Sequence, residues 1–216
     1  MFNRTVGIIL LLALAAGLGL LAARKVWQPK SNGAWPETSS VTLFPQSRPL
    51  PEFALQQSDG TQLTAGELNG HWTLVFLGFT YCPDVCPTTL AELAKAQKQW
   101  STLPDSVRPR VLFVSVDPER DSPMRAGEYA HAFHRDTLAA TADLPTLEKF
   151  AQSLSFVFMK AKGENFDRNP QDYSVDHSAN IAVLDPSGRY AGIITPPFNP
   201  SAIANDLQHL TEASLK

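Results

Sequence analysis

Two apolar runs of strand length, WTLVFLGF at 72–79 and VLFVSV at 111–116, constrain the fold of this chain more than any other feature. Neither shows the polar alternation of a strand with one wet face, so each must be covered on both faces, as the central strands of α/β sheets are. Between them, Pro87 to about Trp100 reads as a helix, with proline in the first turn and Leu90 and Leu93 on one face. Ser122-Pro123 supplies an N-cap and first-turn proline for a second helix through about Leu138. LPTLEKFAQSL (144–154) reads as a third helix, followed by a strand at FVFMK. IAVLD (181–185), the Pro186-Ser187-Gly188 turn and RYAGII (189–194) form a hairpin, and Asn199-Pro200 opens a last helix to about Leu210. Upstream, Asp59-Gly60 between two short apolar runs marks another hairpin turn. Strands alternating with helices and closed by a hairpin and a helix make an α/β sandwich.

The chain begins differently. VGIILLLALAAGLGLLAA (6–23) is 18 residues without a charged or polar side chain, about 27 Å as a helix and close to the thickness of a bilayer core. A cleaved signal would want small residues three and one before the cut; Leu21 fits that badly, and no cysteine follows to carry a lipid. The expectation is a single N-terminal transmembrane helix: a membrane anchor over 1–27, a Pro- and Ser-rich tether over 28–50, and a folded domain over 51–216. Arg4 before the span is balanced by Arg24 and Lys25 after it, so flanking charge leaves the orientation open. The net charge is −3 and no cluster of Lys and Arg exists beyond short pairs, which sets nucleic-acid binding aside.

The chemistry-bearing residues are few. The two cysteines, Cys82 and Cys86, lie together between the first buried strand and its helix. A disulfide scaffold would use more of them, spread to close longer loops. Pro87 disfavours helical geometry just before it, so Cys86 is expected at the N-cap, with both thiols facing the positive end of the helix dipole and favoured as thiolates. Thiolates attack disulfides and also bind soft metals. Dithiol oxidoreductases of the thioredoxin type place two residues between their cysteines; here there are three, which leaves room for an ion. The chain has five histidines: His71, His131, His134, His177 and His209. His177 follows a polar, mobile-looking stretch (162–176) and precedes the strand of the last hairpin. Two thiolates and an imidazole favour Cu(I) and help to hold Cu(II), whereas structural zinc would want a fourth ligand.

GFTYCPDVCP (78–87), VDPERD (116–121) and YSVDHS (173–178), in this order and at these separations, resemble the SCO/SenC (PrrC-like) family of copper proteins from Pro51 to Leu210. The resemblance implies a thioredoxin-like fold on a single-pass inner-membrane anchor, with the soluble domain in the periplasm. It also implies copper bound by Cys82, Cys86 and His177. The function it implies is that of a copper chaperone, not a turnover enzyme, that helps to mature the copper centre of cytochrome c oxidase. The implied partners are the copper-receiving subunit of that oxidase and other periplasmic copper chaperones. Asp117, Arg120 and Asp121 match a further family block, either supporting the metal loop or contacting a partner; the plainer reading is an exposed charged turn. Two alternatives stay open: a thiol–disulfide oxidoreductase using Cys82 and Cys86 as its redox pair, and a redox or copper sensor. DHSANIAVLD lacks the proline that thioredoxin-like reductases place opposite their cysteines, which favours metal binding.

Overall fold

The computed structural model describes residues 35–215; the anchor expected at 1–27 and the first part of the tether lie outside them. Among the described residues no helix is long and apolar enough to cross a membrane. In chain order the elements are β1 (Val41–Arg48), β2 (Leu55–Gln57), β3 (Gln62–Leu63), β4 (Thr73–Gly78), α1 (Val85–Gln99), β5 (Arg110–Ser115), α2 (Pro123–His131) and β6 (Leu138–Thr141). They continue with α3 (Leu144–Ser153), β7 (Phe158–Lys162), β8 (Tyr173–His177), β9 (Ile181–Leu184), β10 (Tyr190–Ile194) and α4 (Pro200–Ser214).

Eight strands form one sheet in the order β1-β10-β9-β4-β5-β6-β2-β3, while β7 and β8 form a separate two-stranded sheet. At the centre β4 runs parallel to β5, Thr73 opposite Arg110 through Gly78 opposite Ser115, and antiparallel to β9. Every residue of β4 is buried, as the unbroken apolar run requires. The same core contains Trp72, Phe76, Trp100, Phe113 and Phe150, and α1 packs beside α4. With β4–α1–β5 followed later by β9–β10–α4, the thioredoxin-like α/β expectation is met.

One local device starts three of the four α-helices among the described residues. Ser122, Asp143 and Asn199 each accept a backbone N–H from the first turn, and Pro123, Pro145 and Pro200 follow where no intrahelical donor is needed. The Asp59-Gly60 turn also forms as expected: Gln57 N–H reaches Thr61 O at 2.9 Å, and Gly60 takes φ +84°, a region open to glycine.

Three expectations are corrected. Residues 41–48 are not tether: Val41, Thr42 and Leu43 pair with Ile194, Ile193 and Gly192. Phe44 packs edge-on against Tyr190 at 4.9 Å. The buried Asp206 carboxylate fixes the start of this strand by accepting the N–H groups of Ser39, Ser40 and Val41 at 2.6–3.1 Å. An alternating segment beside an open sheet edge gains ladder bonds and burial, so the folded domain begins well before residue 51. Second, α2 stops at His131, because Leu138–Thr141 is claimed as a strand between β5 and β2. Third, the polar stretch before His177 is not wholly irregular: Tyr173 to His177 is a strand, with Tyr173 and Val175 buried.

Candidate metal centre

The cysteine loop leaves the C-terminal end of β4, where α/β sheets place their sites. Gly78, the last residue of β4, has a packing role: a Cβ there would lie 2.8 Å from Phe113 Cε2 and 3.0 Å from Cys86 Sγ, so glycine makes room for the sulfur. Helix α1 begins at Val85 with Asp84, not Cys86, as its N-cap, which corrects the expected placement. Asp84 makes no side-chain cap bond. Instead the Cys86 N–H points at Cys82 Sγ at 3.4 Å, so the sulfur stands where a capping oxygen usually would.

His177 arrives from the end of β8. Its Nδ1 lies 3.1 Å from the Ser178 carbonyl oxygen, a contact that requires the proton on Nδ1. Nε2 therefore carries its lone pair toward Cys86 Sγ, 3.4 Å away, in the tautomer a metal ligand needs. Phe76 and Phe79 hold the ring edge-on at 5.9 and 6.1 Å. The ligand atoms of Cys82, Cys86 and His177 all lie within 4.8 Å of one another. Among the described residues no other three His, Cys, Asp or Glu side chains converge in this way. His71 is turned to the Arg108 carbonyl at 2.9 Å, and His134 Nδ1 receives the Asp136 N–H at 3.2 Å.

Burial decides the electrostatics. Desolvation pushes the Cys86 thiol far above its ordinary range, with a hydrogen bond to Cys82 adding to the rise. The helix dipole thus does not make Cys86 a standing thiolate; burial outweighs it. Desolvation also lowers the His177 pKa, against a smaller opposing effect of the Ser178 bond, and keeps the imidazole neutral. The ligand-free pocket is a thiol next to a neutral imidazole. It is suited to losing a proton when a cation enters.

Within the Asp117–Asp121 turn Glu119 is exposed, but the side chains of Asp117, Arg120 and Asp121 are buried and frame the pocket, which overturns the plainer reading of an exposed turn for these three. Asp121, fully buried, accepts from Thr80 N at 2.8 Å, Thr80 Oγ1 at 2.5 Å and Ser115 Oγ at 2.6 Å, tying the cysteine loop to the end of β5. Asp117 accepts from Arg120 Nε at 2.5 Å and from Tyr173 Oη at 2.7 Å, and Arg120 Nη1 donates to the Tyr173 carbonyl at 2.9 Å. Thr80, Ser115 and Tyr173 escaped the reading of the sequence. A signal for Thr80 and Ser115 was present: two buried strand-length runs with one helix between them form a parallel pair, and the segments that follow two such strands meet at one sheet end.

The family model described as SCO1/SenC matches residues 44–212. A protein of Stutzerimonas stutzeri is 29% identical over 206 residues, 94% of each chain. The mitochondrial protein SCO1 homolog 1 of Arabidopsis thaliana is 36% identical over 135 residues, 62% of this chain; the match spans only 38% of that relative's length. The crystal structure of Arabidopsis thaliana ScoI with copper bound is 29% identical, covers 77% of this chain and 98% of its own, and has a TM-score of 0.66.

Proposed function

This chain belongs to the SCO1/SenC family, and on that premise we propose that it is a copper chaperone that holds its cargo with Cys82, Cys86 and His177. The observation that carries the reading is the convergence of two sulfurs and one imidazole nitrogen within 4.8 Å. Copper here is cargo, not a resident cofactor. Soft thiolates match Cu(I), and the Nδ1-protonated imidazole offers Nε2 as the third donor. Entry of the ion displaces the Cys86 proton that burial otherwise retains. A recipient with its own soft ligands then takes copper by stepwise exchange. In keeping with the family, that recipient is the copper-receiving subunit of cytochrome c oxidase, with other copper chaperones as further partners. The apolar run at 6–23 serves as a membrane anchor, and the domain works on the periplasmic side of the inner membrane.

Anaerobic Cu(I) titration of the reduced full chain in detergent, beside Cys82→Ser, Cys86→Ser and His177→Ala, tests this. We expect one copper per chain in the parent. Each cysteine variant should lose tight binding, and His177→Ala should weaken it sharply while leaving Cys82–Cys86 disulfide formation intact. Absence of tight copper in the parent, together with a readily cycling disulfide, would instead favour the thiol–disulfide oxidoreductase. Both cysteines are free thiols in the structure, so the titration starts from the same reduced state.

A further inference from the structure

We propose that Arg120 is a positioning residue that holds the His177 strand against the cysteine loop and so decides whether the imidazole can complete the site. The inference rests on the ligand set proposed above. It begins from a division in the fold: Cys82 and Cys86 leave the eight-stranded sheet, whereas His177 ends β8, whose only ladder partner is β7. Among the described residues no backbone ladder joins the strand of the histidine to the sheet of the cysteines. The chain anchors the His177 end of β8, because Ile181 of β9 pairs with Phe76 of β4 only four residues later, so side chains must hold the other end.

Arg120 touches both sides. On the histidine side its guanidinium lies 3.6 Å from the centre of the Tyr173 ring and donates from Nη1 to the Tyr173 carbonyl. Its Nε holds Asp117, which also accepts from the Tyr173 hydroxyl. On the cysteine side it lies 4.8 Å from the ring of Tyr81, the residue before Cys82, and 5.7 Å from Phe79, which packs on His177. The Arg120 and Asp117 side chains are 6% and 2% exposed, so this pair escapes the solvent screening that makes surface pairs weak. Nη2 is buried with no acceptor among the described residues; the planar group is oriented by its two bonded nitrogens and its faces.

From Tyr173 to His177 is four residues of extended chain, about 13 Å of stiff lever. Tyr173, Val175 and His177 share one side of it by the strand alternation. Fixing Tyr173 therefore aims His177. A lysine at position 120 would keep a positive charge but not the fork that serves a carboxylate and a carbonyl at once while stacking on a ring.

The test uses the reduced full chain with Arg120→Ala, Arg120→Lys, His177→Ala and the double variant Arg120→Ala/His177→Ala. Cu(I) affinity is read by competition with a chromophoric chelator, and imidazole ligation by nitrogen hyperfine coupling in the EPR spectrum of the Cu(II) form. A copper-free readout is the ring-current shift that Phe76 and Phe79 impose on the His177 ring protons. Arg120→Ala should lower affinity about 10- to 100-fold, the range for residues that orient a metal ligand. It should lose the nitrogen coupling and the ring-current shift, and the double variant should bind no more weakly than His177→Ala alone. Arg120→Lys should fall between, and it carries the same readouts if the alanine variant does not fold. Additive losses, or a variant with parent-like coupling and ring-current shift, would overturn the proposal. A parent without nitrogen coupling would instead refute His177 as a ligand, and the ring-current shift would then decide the role of Arg120 alone.

Discussion

Cys82 and Cys86 follow a strand that has neighbours on both sides, β5 and β9, whereas His177 ends a strand paired with β7 alone. The cysteine region is held by the core itself: β4 is buried throughout, Gly78 is cut to the shape of Cys86, and Asp121 ties Thr80 of the loop, by two hydrogen bonds, to Ser115 of β5, by a third. The histidine region is held by a smaller set of contacts, chiefly buried Tyr173 and Val175 and the Asp117–Arg120 clasp. Regions with few ladder bonds to the main sheet open locally at a free energy below that of global unfolding. The two halves of the site should therefore answer perturbation differently. A carrier that exchanges ligands needs one donor that yields before the others. In the ligand set proposed above, that donor is His177.

The largest expected effect is on the cysteine side. Asp121→Ala leaves the Thr80 N–H, the Thr80 hydroxyl and the Ser115 hydroxyl without their acceptor in a buried place. Stranded buried donors cost about 1–3 kcal/mol each when nothing relaxes, so with partial relaxation we expect a global loss of about 2–4 kcal/mol in urea unfolding. Hydrogen exchange should quicken across β4 and β5 as well as in the loop. A loss confined to the loop would place the cysteines, too, on a separable element.

A smaller effect, and one that separates the regions by proton, is the pH dependence. Cys86 is raised well above its ordinary 9.0, so at neutral pH copper must displace its proton, and apparent Cu(I) affinity should rise about tenfold per pH unit for each proton released. His177 is lowered from 6.5 and adds no proton at neutral pH. The slope should steepen only on the acid side, below that lowered value. The same shifts govern stability of the copper-free chain. Below about pH 6.5 the unfolded histidine takes up a proton that folded His177 refuses, so stability falls with acid. Above about pH 9.0 the unfolded cysteine ionises while folded Cys86 does not, so stability falls with alkali. His71 and His134, lowered by desolvation, add to the acid limb, and Tyr129, Tyr173 and Tyr190, raised by it, add to the alkaline one. His177→Ala should therefore make the acid limb shallower without removing it, and Cys86→Ser should do the same to the alkaline limb; limbs that respond the other way round would break the assignment.

The cysteine half was far more legible in the sequence than the histidine half, and for a physical reason. WTLVFLGF and VLFVSV can be satisfied only inside a sheet, and the loop between such a strand and a proline-marked helix has one place to go. His177 could be singled out by its position, but its approach could not, because β7 and β8 are short and only Tyr173 and Val175 in them are buried. VDPERD read equally well as a wet turn, since a charged run carries no mark of burial until its partners are known. Those partners, Thr80, Ser115 and Tyr173, are 6 to 56 residues distant in the chain. The strand at 41–48 was lost to its Pro and Ser content, which speaks for an extended chain but not for what it pairs with. The dipole argument for Cys86 failed because it counts a favourable end charge and omits desolvation, the larger effect at a buried sulfur.

The smallest expected effect tests the histidine side without touching a charge. Tyr173→Phe keeps the ring that Arg120 and Lys160 cover at 3.6 and 4.1 Å, and removes only the hydroxyl bonded to Asp117 at 2.7 Å. One hydrogen bond to a charged group contributes about 1.5 kcal/mol or somewhat more, but Asp117 keeps its bond from Arg120. The expected loss is therefore about 1 kcal/mol. Its distribution matters more than its size. If the ribbon opens separately, amides in the β7–β8 ladder should exchange roughly five times faster, as a loss of that size implies, while those of β4 and β5 keep their protection because they exchange through other openings. A uniform rise across the eight-stranded sheet would mean that the ribbon and the sheet unfold together. His177 would then be held as firmly as the cysteines, and the order in which the ligands let go would have to be set by the recipient.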